Sequence, residues 1–255
     1  MRDANRLFDL SGKVAVVTGG SRGMGKEMVL AFARAGADVV IASRKQASCE
    51  TLAEQVRKET GRRALAVACN VSDWTQNEQL AETALAHFGR VDVLVNNAGM
   101  SPLYDHVVNV SEPLWDKVIG TNLKGPFRLT SVLGTRMALQ GSGSIIFVSS
   151  TGSLHPSGGI IPYAAAKAAV NAMTVGFAHH FGPNVRVNCI LPGPFLTDIS
   201  KAWDLDAFHK RAETSIFLRR GGRAEEIVGA ALYFASDASS FTTAAQLEVS
   251  GGGIG

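Results

Sequence analysis

Strand and helix signals alternate along the whole 255-residue chain, which predicts an α/β fold built on a parallel sheet covered by helices on both faces. Three observations carry this expectation. Seven short runs rich in Val and Ile are apolar without strict alternation, as strands buried on both faces should be: Val14–Thr18, Asp38–Ala42, Ala64–Cys69, Val91–Asn96, Ser144–Ser149, Val185–Leu191 and Gln246–Val249. Amphipathic stretches separate them, and strand-helix-strand repetition implies parallel pairing through right-handed crossovers. The composition agrees: 46% hydrophobic against 18% charged residues allows a large core and excludes a disordered chain. The 27 glycines have no three-residue period, which excludes collagen. Composition alone still leaves a (β/α)8 barrel beside an open, doubly wound sheet.

The first strand ends in Thr18-Gly19-Gly20-Ser21-Arg22-Gly23-Met24-Gly25, which opens a helix running to about Ala35. Gly19, Gly23 and Gly25 form G-x-x-x-G-x-G, a spacing that lets a pyrophosphate approach the backbone at a helix N-terminus. Barrel phosphate sites usually follow the seventh and eighth strands, so a phosphate loop after the first favours the doubly wound sheet. The candidate contacts in this loop are Gly19, Ser21, Arg22, Gly23, Met24 and Gly25. The second strand ends Ile41-Ala42-Ser43-Arg44. An acidic residue there would accept both ribose hydroxyls of NAD or S-adenosylmethionine. Ser43 and Arg44, with Arg22 nearby, instead suit a 2′-phosphate, and predict NADP(H) over NAD(H).

After the third strand, Ser72–Gly89 reads as a helix with Asp73 as N-cap, Gln76 three residues on, an apolar stripe of Leu80, Ala84, Leu85 and Phe88, and Gly89 as its stop. The fifth strand ends Phe147-Val148-Ser149-Ser150. Thirteen residues on comes Tyr163 and four later Lys167, in an alanine-rich stretch that should be helical, so the two share one face about a turn apart. Asp198–Arg220 then breaks the regular alternation. Its Trp203, Leu205, Phe208, Ile216 and Phe217 could line an apolar pocket under a mobile lid, or belong to a pair of helices capping the core. The Leu154–Ile161 loop offers a further wall. The chain shows no internal repeat or Pro/Ser-rich linker, and reads as one domain over residues 1–255.

At these residues the chain resembles the short-chain dehydrogenase/reductase family, in its branch of roughly 250-residue enzymes, over nearly its whole length. The resemblance rests on the Gly19/Gly23/Gly25 loop, Asn96-Asn97-Ala98-Gly99 closing the fourth strand, Asn122, Ser150, Tyr163-x-x-x-Lys167, and Pro192-Gly193 after the sixth strand. It implies a single-domain Rossmann fold and a homo-oligomer, commonly a tetramer or dimer. It also implies that Tyr163 is the general acid in carbonyl reduction and the base in alcohol oxidation. Lowering a phenol pKa from about 10 to about 7 takes roughly 4 kcal/mol, more than one neutral hydrogen bond supplies. The Lys167 cation and the oxidised nicotinamide are the sources the resemblance suggests. Lys167 would also hold the nicotinamide ribose, Ser150 would bond the substrate oxygen, and Asn122 would anchor a water passing protons toward Lys167.

Cofactor contacts implied by the same resemblance are Asn97, Ala98 and Gly99 near the adenosine ribose, and Asn70 and Val71 bordering adenine. Pro192, Gly193, Phe195 and Thr197 would reach the nicotinamide carboxamide. Two positions depart from the family pattern: Asn70 replaces the usual Asp, and Ser250 replaces Asp in Leu247-Glu-Val-Ser250-Gly-Gly.

The remaining features narrow the partners. With 25 basic and 22 acidic residues interspersed, the chain lacks the basic stripe of a nucleic-acid binder. Cys49, Cys69 and Cys189 form no CxxC pair, and the adjacent His179-His180 is a poor ligand set, so no metal is expected. No apolar run reaches a membrane span, and Met1–Leu10 does not read as a signal peptide, which suits a cytoplasmic protein. His155 is redundant beside a complete Tyr/Lys pair. The expected activity is NADP(H)-dependent interconversion of a ketone and a secondary alcohol, with 3-oxoacyl, steroid and sugar-type substrates open. The alternatives are a non-catalytic NADP-binding regulator, which has no chemical need for Asn122, Ser150, Tyr163 and Lys167 together, and a Rossmann methyltransferase, disfavoured by Ser43-Arg44.

Overall fold

The computed structural model describes residues 6–198, 200 and 203–253. Its strands are β1 (Val14–Thr18), β2 (Asp38–Ser43), β3 (Ala64–Ala68), β4 (Val93–Asn96), β5 (Gly143–Val148), β6 (Val185–Pro192), the two-residue β7 (Phe195–Leu196) and β8 (Gly222–Arg223), and β9 (Gln246–Val249). All but β7 and β8 join one parallel sheet in the order β3-β2-β1-β4-β5-β6-β9. The sheet is open, with β3 and β9 at its edges, so the doubly wound expectation holds and the barrel is excluded. β7 and β8 pair only with each other and were not foreseen from the sequence, since two residues carry no periodicity.

The helices are α1 (Gly23–Arg34), α2 (Gln46–Thr60), α3 (Trp74–Phe88), α4 (Glu112–Ile119), α5 (Gly125–Gln140), α6 (Ile161–Phe181), α7 (Leu205–Ser215) and α8 (Val228–Ala235). Successive residues of a strand point to opposite faces, so each apolar strand feeds two cores. Ala15 and Val17 pack with Met28, Phe32, Val56 and Phe234 of α1, α2 and α8. Val14 and Val16 pack with Leu80, Leu133, Phe147 and Val170, beneath α3, α5 and α6. Full burial of a side chain such as Phe147 contributes about 1.5–3 kcal/mol, and both layers hold many of them. α3 follows the sequence reading closely: Asp73 accepts a bond from Gln76 N at 2.9 Å, and Gly89, at φ +77°, ends it.

Two regions differ in detail from expectation. The helix carrying Asn122 is not uniform: a five-residue π-helical turn, Gly120–Lys124, joins α4 to α5. Gly120 and Gly125 at its ends lie against Ser72 and Val71, so the helix sits directly on the loop after β3. Among the described residues of the 198–220 segment there is one α-helix, α7, rather than a pair. Phe208, Ala212 and Ile216 are buried with Leu196 and Trp203 in a small core of their own, while Leu205 is exposed and Phe217 is 72% exposed. The five apolar side chains expected to line one pocket therefore divide between an anchor and a surface. Ile199, Lys201 and Ala202 of that segment, and Met1–Asn5, lie outside the described residues.

Candidate active site

The strand order reverses between β1 and β4, and in doubly wound sheets ligands bind in the crevice outside the carboxyl ends at such a point. Thr18 ties the two strands there. Its Oγ1 donates to Val95 O at 3.3 Å and accepts from the backbone N–H groups of Asn97 at 3.0 Å and Ala98 at 3.1 Å. Asn97 Nδ2 donates to Thr18 O at 2.9 Å and Gly19 O at 3.3 Å, holding the phosphate loop from below. Gly25 admits no side chain: a Cβ would overlap the Gly19 carbonyl and stand 2.6 Å from Asn97 Nδ2. Arg22, the extended N-cap of α1, makes no side-chain cap, so the first-turn N–H groups face the loop with the positive end of the helix. A shallow cradle of glycine backbone at an uncapped helix N-terminus fits a pyrophosphate.

Ser21 Oγ donates to Ser43 Oγ at 2.9 Å, and Ser43 Oγ lies 3.1 Å from Cys49 Sγ. The first bond draws the phosphate loop to the end of β2, so Arg22 and Arg44 follow adjacent anchored residues. Both are exposed, and among the described residues neither pairs with a carboxylate. Met24 packs its side chain on the core of the α1 face. Asn70, exposed beyond β3, uses Oδ1 to accept from Ser72 N and Ser72 Oγ, which fixes the turn beside the buried Val71. On the other side of the crevice, Gly193 N donates to Val249 O at 3.0 Å, and a Cβ at Gly193 would come 2.8 Å from Ser250 Cα. Phe195 is buried, and Thr197 lies against Gly23, so the segment after β6 reaches over to the phosphate loop.

Ser150, Tyr163 and Lys167 converge at the end of β5. Ser150 lies beside the Tyr163 hydroxyl, and its Oγ accepts from Gly152 N at 3.1 Å. Lys167 Nζ sits 5.7 Å from the centre of the Tyr163 ring and donates to Val148 O at 2.7 Å. Ser149 Oγ donates to Lys167 O at 3.1 Å, pinning α6 to the same strand end. Burial pushes the Tyr163 phenol above its ordinary value, and the neighbouring Ser150 hydroxyl offsets part of that rise. Lys167 is 4% exposed, and burial lowers its pKa to about 8. Asn122 is fully buried in the π-helical turn. Its Nδ2 donates to Met100 O at 2.8 Å and Val118 O at 2.9 Å, and its Oδ1 accepts from Met100 N. Gly99 links the groups: a Cβ there would stand 2.9 Å from Asn122 Oδ1 and 3.6 Å from Lys167 Nζ. His155 is exposed on the neighbouring loop.

Three residues of this region escaped the sequence reading. Asn171 Nδ2 donates to Ser153 Oγ at 2.8 Å, and Ser153 Oγ donates to Ser150 O at 2.6 Å, a chain that supports the Ser150 backbone. Asn171 lies four residues after Lys167 and eight after Tyr163, so helical spacing was the signal that could have found it. Tyr104 comes from the loop after β4 and had no motif around it; its hydroxyl contacts the loop before α6.

A family model described as Enoyl-(Acyl carrier protein) reductase matches residues 19–253. The chain is 33% identical over 249 residues to a rabbit (Oryctolagus cuniculus) protein named dehydrogenase/reductase SDR family member 4, covering 97% of this chain and 95% of the relative. Among solved structures, a 7α-hydroxysteroid dehydrogenase complexed with NADH and 7-oxo glycochenodeoxycholic acid superposes with a TM-score of 0.94 at 30% identity, covering 100% of this chain and 98% of that one. A 3-oxoacyl (acyl-carrier-protein) reductase from Agrobacterium tumefaciens C58 with NADP bound gives 0.92 at 30% identity, covering 98% of both chains.

Proposed function

Because the chain belongs to the short-chain dehydrogenase/reductase family, we propose that this oxidoreductase is an NADP(H)-dependent ketoreductase, interconverting a ketone and a secondary alcohol. The observation that carries the reading is the meeting of Ser150, Tyr163 and Lys167 at one strand end, across the crevice from a glycine cradle. Gly19, Ser21, Arg22, Gly23, Met24 and Gly25 hold the pyrophosphate; Ser43 and Arg44 with Arg22 hold the 2′-phosphate. Asn70, Val71, Asn97, Ala98 and Gly99 border the adenosine, and Pro192, Gly193, Phe195 and Thr197 border the nicotinamide. When bound, the cofactor supplies or accepts the hydride.

The chain's own residues do the rest. Tyr163 gives its phenolic proton to the substrate oxygen as negative charge develops there. Ser150 donates to the same oxygen, orienting it and stabilising that charge. Lys167 supplies a cation beside the phenol and holds the nicotinamide ribose, and its charge favours the phenolate that remains. Both Nδ2 hydrogens of Asn122 are engaged by Met100 O and Val118 O, and Asn122 anchors a water that passes protons toward Lys167. We assign residues 203–220 to covering the substrate, in a single cofactor-binding and catalytic domain.

The relatives differ in the cofactor their names mention, NADH in one and NADP in another, so the preference rests on Ser43, Arg44 and Arg22 in this chain. Replacing Arg22 and Arg44 together by Ala is expected to raise KM for NADPH about 10²- to 10⁴-fold while leaving KM for NADH nearly unchanged, since each charge-assisted bond contributes about 1.5–3 kcal/mol. A wild-type preference for NADH in kcat/KM would sink the cofactor assignment. A panel of ketones, with an enoyl thioester included because of the matched model's description, reads the reaction at 340 nm.

The same reading makes the protein a homo-oligomer, a tetramer or dimer. β9 closes one sheet edge with Gln246, Leu247 and Glu248 exposed, and Phe241 just before it is fully exposed, an arrangement a second copy would cover. The three cysteines are free and buried, which suits a reducing cytoplasm.

A further inference from the structure

Two loops flank the reaction centre, one following β4 and one preceding α6, and a single side chain bridges them. The Tyr104 hydroxyl donates to Gly158 O at 2.7 Å and accepts from Ile161 N, the first residue of α6, at 2.9 Å. Ile161 stands two residues before Tyr163, so the bridge fixes the start of the helix that presents the phenol. The Tyr104 ring, in turn, faces a shallow apolar hollow that opens to solvent. Pro102, Leu114, Val118, Ile160 and Pro162 complete its walls, with Tyr163 at one side. The one polar group Tyr104 brings is spent on the backbone of the opposite loop, and the other five wall residues carry no polar side chain.

We propose that Tyr104 is a positioning residue that also sets the substrate class: it clamps the two loops together and completes a shallow apolar wall beside Tyr163, against which an uncharged alkyl, alicyclic or aryl substituent of the ketone lies. This rests on the oxidoreductase reading for the reaction and extends it to the substrate. A carboxylate, a phosphate or a polyhydroxylated chain placed there would lose its water without finding a partner. Selectivity of this kind comes from the wall, whereas the clamp acts on the geometry of proton transfer.

Tyr104→Phe keeps the ring and removes both bonds. Amide hydrogen exchange in the ligand-free protein should speed up at Ile161 and the first turn of α6 by at least about tenfold, a readout that needs no turnover. In turnover, kcat should fall about tenfold with KM for NADPH unchanged. Wild type should use cyclohexanone- or acetophenone-type ketones with kcat/KM at least about tenfold above carboxylated or polyhydroxylated ketones of similar size, and Leu114→Lys should erase that preference toward the carboxylated ones. Unchanged exchange at Ile161 in Tyr104→Phe overturns the clamp, whatever the enzyme turns over. Equal use of apolar and charged ketones by wild type overturns the substrate class while leaving the ketoreductase reading intact. If no ketone is turned over in a Tyr163-dependent way, the ketoreductase reading fails and the substrate class with it, and the exchange result alone decides the clamp.

Discussion

Tyr163→Phe is expected to lower kcat for ketone reduction by about 10²–10⁴-fold, the range a positioned general acid contributes. NADPH affinity should stay within about threefold, because the variant keeps the ring and the helix and removes only the reacting proton. The ring lies 5.7 Å from Lys167 Nζ, a contact the variant retains, so a loss of this size reports the hydroxyl itself. Burial raises the phenol pKa and the neighbouring Ser150 hydroxyl only partly offsets it, so the free protein carries a protonated Tyr163 through neutral pH. That is the form reduction needs. Alcohol oxidation needs the phenolate, so the oxidative rate should climb as pH rises while the reductive rate stays flat until the phenol ionises. Pre-steady-state and steady-state rates in both directions, on wild type and variant, measure this. A variant within about threefold of wild type would remove Tyr163 from the chemistry and favour the non-catalytic regulator.

Lys167→Met should produce two opposite effects, a loss of activity of at least about 10²-fold and a gain in stability at pH 7. The ammonium is buried, with one bond from Nζ to Val148 O, and its pKa falls from 10.5 in an open environment to about 8. Keeping it charged in the folded protein therefore costs about 3 kcal/mol, of which about 1 kcal/mol returns as the Val148 carbonyl loses its partner in the variant. The net expectation is a Met variant more stable by about 1–2 kcal/mol at neutral pH. The sign with pH follows from proton binding: between about 8 and 10.5 the unfolded chain holds a proton that the folded protein has released. Wild-type stability thus rises with pH through that window relative to the variant, and the gap between them closes toward pH 10.5. Urea unfolding of both proteins at pH 7 and pH 9.5 reads this difference, and other titrating groups cancel in the comparison. A Met variant less stable than wild type at pH 7 would show that the Val148 bond and packing outweigh the desolvation of the charge.

Much of this was legible along the chain. The seven strands of the main sheet fall where the apolar runs fall, with shifts of a residue or two at their ends, because strands covered on both faces must be apolar throughout. The glycine loop could be recognised for the same kind of reason: no other residue fits at Gly25, and that restriction is visible as a letter in the sequence. Tyr163 and Lys167 stand one helical turn apart, so local periodicity alone placed them on one face. Ser153, Asn171 and Tyr104 were not legible as parts of the site. Ser153 and Asn171 act through bonds to each other across 18 residues, and Tyr104 reaches Ile161 across 57. Polar side chains of ordinary type, paired at long range, leave no pattern in a single chain.

The 198–220 segment makes the same distinction within one stretch of sequence. Its apolar residues were visible, yet Phe208 and Ile216 turn inward to make a small core while Phe217 faces solvent. Hydrophobicity says that a side chain gains by leaving water, without saying which surface it will find. The sequence by itself determined the layer architecture, the phosphate loop and the spacing of the Tyr and Lys, because each depends on residues near one another along the chain. Only the tertiary structure decided how Lys167 is desolvated against Val148, how the π-helical turn seats Asn122 on Met100, and which walls surround Tyr163. Those depend on distances between segments far apart in the chain, which exist only once the sheet has brought its carboxyl ends together.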